Sequence, residues 1–135
     1  MNKFRFNWKK TILISFLLVS FSSATNAELP TTIIKSCYDG DTCTTIDGEK
    51  IRLACIDTPE LKGKKADPIP AKEARDFLND LLVNEKVSIR RITTDRYGRT
   101  VAELIKDKTN IQELLVKKNL AKIYQKYKNQ CLWSK

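Results

Sequence analysis

Residues 31–56 read TTIIKSCYDGDTCTTIDGEKIRLACI and contain the strand and turn signals from which the fold is predicted. β-Branched residues dominate residues 31–37 and 42–46, and the residues between them are typical of a turn, so this part predicts a β-hairpin. An Asp-Gly pair then gives a second turn signal, and a third strand is predicted at residues 50–56. The stretch therefore predicts a three-stranded meander.

The middle of the chain predicts a helix followed by a second hairpin. Apolar residues recur at helical spacing in residues 71–83, which indicates an amphipathic helix that covers one face of a sheet. Alternating side chains at residues 87–94 predict a fourth strand, and residues 100–105 predict its partner across a Tyr-Gly turn. The sequence thus predicts five strands.

A short second helix is predicted near the C-terminal end of the chain. Asn110 has Glu113 three residues after it, which is typical of a helix N-cap. Asn119 suits the left-handed residue that closes such a helix. Five strands with two helices in this order predict one α+β domain built on a five-stranded Greek-key barrel of the OB-fold type.

Residues 1–27 have the pattern of a secretory signal peptide. Basic residues precede an apolar run at residues 11–21, and small polar residues lead to Ala27, where we expect cleavage. The apolar run is shorter than the roughly 20 residues of a membrane span, which disfavours a membrane anchor. We therefore expect residues 28–135 to be secreted or periplasmic, without stable membrane association, and monomeric. Removing four basic residues lowers the formal net charge from +9 to +5.

The four cysteines, Cys37, Cys43, Cys55 and Cys131, all lie in the expected exported domain. An oxidising compartment makes two disulfides the default expectation. Three pairings are possible, and Cys37 with Cys43 is favoured because these residues flank a tight turn, which leaves Cys55 for Cys131. A zinc site is disfavoured because the chain has no histidine and no Cys-x-x-Cys pair.

The absence of histidine excludes the imidazole-based schemes of acid–base and nucleophilic catalysis. Carboxylates and a metal ion would then carry catalysis. Asp41 lies on the first hairpin, while Asp57 and Glu60 follow the third strand, so adjacent strands could bring the three carboxylates together. Pro59 would direct the Asp57 carboxylate and the Thr58 carbonyl towards one point, although an ordinary turn explains this segment equally well. Such oxygen ligands favour calcium or magnesium.

Two arginines could complete a site for a phosphate. Arg52 lies on the third predicted strand, five residues before Asp57, and Arg99 closes the turn of the second hairpin, so both guanidinium groups could reach one phosphate. For either arginine alone, a surface charge or a structural ion pair is the simpler explanation. A metal ion together with such cations suits phosphodiester cleavage, in which charge on the phosphate must be stabilised.

Several separated motifs closely resemble those of staphylococcal nuclease and its thermonuclease relatives. They are DGDT at residues 39–42, IRL at 51–53, DTPE at 57–60, TDRYGR at 94–99 and NLAK at 119–122. The resemblance that these motifs carry extends over nearly all of residues 28–135. The resemblance implies a nuclease domain of the OB-fold type that hydrolyses DNA and RNA with calcium and leaves 3′-phosphate ends.

The resemblance also implies roles for individual residues, taken motif by motif. Asp41 and Asp57 would be the calcium carboxylates, with the carbonyl of Thr58 as a third ligand. Glu60 would position or deprotonate the attacking water, and the resemblance leaves open which of the two it does. Binding of the metal ion would therefore depend on the first turn, which contains Asp41, and on the segment after the third strand. The same segment, through Glu60, would act on the water.

The remaining carried-over residues would contact the substrate. Arg52 and Arg99 would stabilise the phosphate, and Tyr97 and Tyr127 would bind the nucleotide by stacking. For Tyr97, packing in the core or support of the turn is an equally good explanation. Gln125 stands where the family often has a base-stacking tyrosine, and the adjacent Tyr124 could substitute for it.

A second departure lies at the C-terminal end, where the long helix of the staphylococcal enzyme has no counterpart before Lys135. We expect a disulfide between Cys55 and Cys131 to hold this shortened end on the barrel. Two other functions stay open from the sequence. One is an OB-fold module that binds nucleic acid without cleaving it, and the other is an exported structural or inhibitory protein that uses the barrel edge.

Overall fold

The computed structural model describes residues 27–135. The signal peptide predicted for residues 1–27 lies outside this part apart from Ala27, so it stays a prediction. No helix within the described part is long and apolar enough to cross a membrane.

Eight strands and two α-helices make up the described chain. The strands are β1 (Thr31–Cys37), β2 (Thr42–Thr45), β3 (Lys50–Leu53), β4 (Ile56–Asp57), β5 (Lys86–Thr94), β6 (Thr100–Lys106), β7 (Thr109–Asn110) and β8 (Lys122–Ile123), and the helices are α1 (Pro68–Leu82) and α2 (Ile111–Lys117). Five of the strands form the barrel in the order β3, β2, β1, β5, β6, with antiparallel neighbours. Strand β6 then pairs in parallel with β3 and closes the barrel. The predicted five-stranded barrel of the OB-fold type is confirmed.

The barrel interior and one face of α1 form the hydrophobic core. Alternate residues of the strands point inward, so that Ile34, Ile51 and Ile89 are fully buried. Helix α1 contributes Leu78 and Leu82, which are also fully buried. Each such side chain contributes roughly 1.5–3 kcal/mol of burial free energy. The core therefore fixes the positions of β1, β3 and α1 relative to one another.

The turn between β1 and β2 is held tightly against α1. Cys37 and Cys43 form a disulfide across it. Gly40 lies so close to its neighbours that an added Cβ would be 2.7 Å from Cβ of Ala74 and 2.9 Å from Cβ of Thr58. Only glycine fits at this contact without displacing the helix or the segment after β4.

The structure corrects two predicted element boundaries. The strand predicted at residues 50–56 is interrupted because Cys55 adopts a left-handed conformation with φ 66°. The chain therefore leaves the barrel after β3, and β4 pairs with β8 instead. Helix α1 begins at Pro68 rather than at residue 71, since proline is well tolerated in the first turn, where its missing N–H is not needed.

The predicted short helix is confirmed together with both of its caps. The Asn110 side chain accepts a hydrogen bond from the backbone N–H of Glu113 at 3.0 Å. Asn119 is left-handed, with φ 59°. Lys117 near the C-terminal end pairs with Glu113 at 2.8 Å. These features stabilise both ends of α2, where backbone N–H and carbonyl groups have no partner within the helix.

The C-terminal segment, residues 124–135, packs on the barrel as two short 3₁₀ turns, Gln125–Gln130 and Leu132–Ser134. No long helix follows α2 within the described residues. A disulfide joins Cys55 to Cys131. The buried carboxylate of Glu103 adds a second attachment, because it accepts a hydrogen bond from Nε1 of Trp133 at 2.8 Å and pairs with Arg90.

Candidate active site

One cleft on the barrel surface gathers all the side chains that the sequence singled out for catalysis and binding. It has a volume of about 770 Å³. The residues predicted from the sequence that line it are Asp41, Arg52, Asp57, Thr58, Glu60, Tyr97, Arg99 and Tyr127. They come from the first turn, the segment around β4, the β5–β6 turn and the C-terminal segment.

Asp41 and Arg52 are held side by side by the pairing of β2 with β3. Thr42 lies opposite Arg52 in the register, and the backbone N–H of Leu53 donates to the carbonyl of Asp41 at 2.7 Å. Nη2 of Arg52 is 3.1 Å from Oδ2 of Asp41. The same guanidinium donates to the carbonyl of Ile56 at 2.9 Å, which joins β3 to β4. Strand register therefore fixes this guanidinium beside a buried carboxylate.

Burial raises the pKa of Asp41 to about 6, against the opposing effect of the Arg52 guanidinium. The neighbouring Asp39 adds to the rise, while hydrogen bonds from Thr58 and Thr42 lower the pKa. The hydroxyl of Thr42 is 3.1 Å from Oδ1 of Asp41. The pKa of Asp41 therefore reflects a balance between burial and the neighbouring guanidinium and hydroxyl groups, and a further cation at this carboxylate would lower it.

Asp41, Asp57 and Thr58 line the same cleft, and their carboxylate and carbonyl oxygens suit a hard divalent cation. Asp57 is exposed at the cleft, and the next residue, Thr58, is buried against Asp41. The structure does not bring the three predicted carboxylates of Asp41, Asp57 and Glu60 into one metal-binding group, because within residues 27–135 no three His, Cys, Asp or Glu side chains are grouped closely enough to hold a metal ion. Two carboxylates and a backbone carbonyl would leave coordination positions for water and phosphate oxygens, as is usual for calcium or magnesium at a phosphate site.

Arg99 is held in the β5–β6 turn by the carboxylate of Asp95. Oδ2 of Asp95 is 2.7 Å from Nε of Arg99, and Oδ1 accepts from the backbone N–H groups of Tyr97 and Arg99 at 2.9 and 3.0 Å. Nη1 of Arg99 is 3.3 Å from the hydroxyl of Thr42. The second guanidinium thus reaches the first hairpin, one residue from Asp41.

Asp95 is therefore a positioning residue for Arg99. Burial acts to raise the pKa of Asp95, but the hydrogen bonds donated by the backbone and side chain of Arg99 and by the backbone of Tyr97 outweigh it. The pKa of this carboxyl consequently lies below its usual value. Asp95 stays ionised across the neutral range and keeps its pair with the guanidinium.

Glu60 projects from the segment after β4 and is exposed. Its backbone carbonyl accepts a hydrogen bond from the N–H of Asp67 at 2.9 Å, which closes the loop between them. Pro59 precedes it and restricts the backbone. An exposed carboxylate on a closed loop at the cleft has access to water.

The aromatic residues of the cleft are on its rim. Tyr97 is 68% exposed, so the alternative of core packing is wrong for this residue. The guanidinium groups of Arg96 and Arg99 lie 4.8 and 5.4 Å from the centroid of its ring. The rings of Tyr124 and Tyr127, which also line the cleft, meet edge to face with their centroids 5.1 Å apart. Gln125 does not line the cleft, whereas Tyr124 does.

Several cleft residues were not singled out from the sequence. Tyr38, Lys62 and Lys126 line it, and the ammonium of Lys126 lies 5.2 Å from the ring centroid of Tyr127. Nothing in the local pattern distinguishes these lysines from the many others in a basic chain. The role of Asp95 could have been inferred, because an aspartate that begins a turn commonly accepts backbone N–H groups.

The cysteine chemistry also bears on the site. All four cysteines are in disulfides, and none in the described part of the chain is free. The alternative of a zinc site formed by cysteines is therefore excluded. Both disulfides flank the cleft, because Cys37 and Cys43 enclose the turn with Asp41 and Cys55 separates β3 from β4.

Comparison with known proteins gives a family match that covers more than half of the chain. Residues 50–133 match the model described as staphylococcal nuclease homologue. The chain is 35% identical to an uncharacterized endonuclease of Haemophilus influenzae over 124 residues, which is 88% of this chain and 67% of the relative. It is 37% identical to the thermonuclease of Staphylococcus hyicus over 110 residues, 76% of this chain and 65% of that protein.

A plant relative matches over a shorter stretch. The chain is 37% identical over 79 residues to the staphylococcal-like nuclease CAN1 of Arabidopsis thaliana, which is 58% of this chain and 23% of that protein. The chain thus spans about two thirds of the two bacterial relatives and about a quarter of the plant protein.

Proposed function

The chain belongs to the staphylococcal nuclease family, and we propose that this nuclease is an exported endonuclease that cleaves DNA and RNA with calcium and leaves 3′-phosphate ends. The observation that carries the proposal is the placement of two guanidinium groups beside a buried carboxylate. Arg52 pairs with Asp41 at 3.1 Å, and Arg99 reaches Thr42 at 3.3 Å. A phosphate near Asp41 would therefore meet donors from two hairpins.

Arg52 and Arg99 stabilise the charge that develops on the phosphate. Guanidinium groups stay charged at all relevant pH values and donate two hydrogen bonds in a fixed plane, which suits phosphate oxygens. Both are held before substrate arrives, Arg52 by backbone carbonyls and Asp41, and Arg99 by Asp95. Such fixed donors need little reorganisation during the reaction.

Asp41, Asp57 and the carbonyl of Thr58 would hold the calcium ion. The burial of Asp41, the place of all three residues at the cleft and the oxygen character of their ligand groups support this assignment. When bound, the ion would draw charge from a phosphate oxygen. The tight packing of Gly40 against Thr58 would keep the first turn and the segment after β4 in register for this purpose.

Glu60 positions or deprotonates the water that attacks phosphorus. Its exposure and its place on the closed loop at the cleft support this role. The attacking oxygen adds to phosphorus as the bond to the leaving oxygen of the next nucleotide breaks. The proton of the water passes to the carboxylate or to solvent, and the leaving oxygen takes a proton from solvent. A 3′-phosphate product requires that the departing oxygen be the 5′-oxygen.

Tyr97 and Tyr127 contact the bases on either side of the cleft. Both are exposed on the rim, and stacking on an exposed ring is largely independent of base identity. Tyr124 lies against Tyr127 and would take the place that Gln125 leaves without an aromatic ring. This arrangement supports cleavage of DNA and RNA without strong sequence preference.

Export to a periplasm or to the medium is the location that the two disulfides support, since such bonds persist in oxidising compartments. N-terminal sequencing of the protein recovered from its native host would test cleavage after Ala27. A start at Glu28 supports the proposal, and a retained Met1 contradicts it.

Product analysis tests the proposed reaction. Single-stranded DNA and RNA are incubated with the oxidised protein in calcium, in magnesium and with a chelator, and the new ends are assayed for extension by a polymerase before and after phosphatase. We expect cleavage in calcium and ends that extend only after phosphatase. Ends that extend directly would contradict the proposal, and binding without cleavage in any ion would favour the OB-fold binding module.

A further inference from the structure

Beside the catalytic cleft lies a second depression, which we call the side groove. It has a volume of about 650 Å³ and is lined by Tyr38, Leu61 and Lys62, which it shares with the cleft, and by Lys72 and Arg75 of α1. We propose that the side groove binds the single strand of nucleic acid that extends from the cleft. This inference rests on the proposed function, because it assigns a path to the same substrate.

The position of Tyr38 at the junction of the two depressions is rigid. Its side chain is 60% exposed. Its backbone N–H donates to the carbonyl of Thr42 at 2.8 Å, and the preceding Cys37 is in the disulfide to Cys43. This turn holds the backbone of Tyr38 in place, so only the side-chain rotamer has to be fixed when the ring packs against a ligand.

Helix α1 is tied to the same turn, so both walls of the side groove are fixed. The side chain of Asn79 accepts from the backbone N–H of Cys37 at 2.8 Å and donates to its carbonyl at 3.0 Å. The close approach of Gly40 to Ala74 adds packing to these hydrogen bonds. The backbone positions of Lys72 and Arg75 are therefore fixed relative to that of Tyr38.

The side groove is basic. Lys62 and Lys72 are exposed, and neither ammonium group has a salt-bridge partner among residues 27–135. Arg75 pairs with the adjacent Asp76 at 2.7 Å, so its charge is partly compensated. No aspartate or glutamate lines the depression. Two uncompensated cations would attract the phosphates of a polyanion.

A flexible single strand fits this combination better than a duplex or a lipid surface. Single strands are bound by basic grooves that follow the backbone and by aromatic rings on which unpaired bases stack. The side groove offers both, with the ring of Tyr38 at its junction with the cleft. Because the side groove shares residues with the cleft, a substrate strand that leaves the cleft would enter the side groove.

The test compares two substrates and three variants. The substrates are a dinucleotide, which fits within the cleft, and a single-stranded oligonucleotide of about 16 nucleotides, which can reach the side groove. The variants are Tyr38→Ala, Lys72→Glu and the control Lys108→Glu, whose lysine is exposed and lines neither depression. For each protein, kcat/KM is measured on both substrates, and binding of the oligonucleotide is measured separately with a chelator present.

We expect the ratio of kcat/KM on the oligonucleotide to that on the dinucleotide to fall about fivefold or more in Tyr38→Ala. In Lys72→Glu the same ratio should fall, and the slope of log affinity against log salt should decrease by about 0.7, as for the loss of one phosphate contact. Lys108→Glu should leave the ratio unchanged. An unchanged ratio in both Tyr38→Ala and Lys72→Glu would overturn the inference, as would an equal fall in Lys108→Glu.

The binding measurement separates this inference from the proposed function. If the wild-type protein cleaves neither substrate but Tyr38→Ala and Lys72→Glu weaken oligonucleotide binding, the proposed reaction fails and the side groove stands. If cleavage proceeds normally and neither variant changes binding, the side groove is wrong while the proposed reaction stands.

Discussion

Nη2 of Arg52 lies 3.1 Å from Oδ2 of Asp41, so a proposed phosphate ligand and a proposed calcium ligand are paired with each other in the free protein. Each group sets the position of the other before any ligand binds. The pair also explains how a carboxylate this deeply buried is tolerated, since removing its partner would leave an uncompensated charge. The proposed phosphate site at Arg52 and the proposed calcium site at Asp41 are therefore energetically linked.

The orientation of Arg99 should depend on Asp95. In Asp95→Asn the amide oxygen can still accept from the backbone N–H groups of Tyr97 and Arg99, but the charged contact to the guanidinium is lost. We expect kcat/KM on single-stranded DNA to fall about tenfold, which corresponds to one charge-assisted hydrogen bond. Steady-state kinetics measure this, with thermal unfolding to show that the variant is folded.

The same variant gives a pH prediction with a definite sign. Because the pKa of Asp95 is lowered in the folded protein, its contribution to stability is fully present above its ordinary value of 3.8 and is lost as the pH falls through the lower folded value. The free energy of unfolding of the wild type should therefore exceed that of Asp95→Asn at neutral pH and converge with it in strong acid. A constant difference at all pH values would contradict the assignment.

Glu60 should contribute to the chemical step rather than to binding. In Glu60→Gln we expect kcat to fall about 10²- to 10⁴-fold, the usual contribution of a positioned acid or base. Affinity for the oligonucleotide in calcium should be retained. The matched control is Glu73→Gln, an exposed change on α1 that lies outside the cleft.

The pH dependence of kcat decides which role Glu60 has. If it removes the proton from water, the fall in wild-type rate towards acid should become shallower in Glu60→Gln, because only protonation of Asp41 then lowers the rate, whereas a residue that only positions water should leave that limb unchanged. Full activity of Glu60→Gln would exclude both roles.

The disulfide between Cys55 and Cys131 should be the main covalent support of the C-terminal segment. It joins residues 76 apart, and loop entropy gives such a bond about 4 kcal/mol, compared with about 2 kcal/mol for the bond between Cys37 and Cys43, which are 6 apart. Replacing Cys55 and Cys131 by serine should lower the free energy of unfolding more than replacing the other pair. Denaturant titration of both double variants measures the difference.

Loss of that bond should also affect the site. Tyr124 and Tyr127 belong to the segment that the bond holds, and the N–H of Tyr124 donates to the carbonyl of Cys55 at 2.8 Å. We expect a higher KM for the Cys55→Ser, Cys131→Ser variant. Equal stability and an unchanged KM would show that the Glu103 contacts alone hold the segment.

Local patterns predicted most of the fold. Alternation of apolar residues identified the barrel strands, and Asn110 and Asn119 marked the ends of α2 because their side chains and backbone conformations act within a few residues. The pairing of β4 with β8 could not be predicted in this way, since two-residue strands depend on contacts between distant parts of the chain. Helix α1 was predicted too short because its leading prolines have the composition of a turn.

The sequence predicted which residues belong to the site, but it could not predict the contacts between them. The motifs named the arginines and carboxylates, whereas the contact of Arg52 with Asp41 depends on the register of β2 and β3. The side groove gave no signal in the sequence, because it depends on hydrogen bonds between Asn79 and Cys37, which are 42 residues apart. Tertiary contacts of this kind leave no local pattern.

The initial rate of single-stranded DNA cleavage by the oxidised protein in calcium shows whether a metal ion, Arg52 and Arg99 act together on the phosphodiester bond. It is compared with the rate after chelation and with those of Arg52→Ala, Arg99→Ala and the control Arg91→Ala, whose arginine pairs with Glu49 outside the cleft. We predict that chelation abolishes cleavage and that either cleft substitution lowers the rate about 10²- to 10³-fold, while Arg91→Ala retains it. Cleavage that persists after chelation, or that is unaffected by both cleft substitutions, would contradict the proposed metal-dependent reaction.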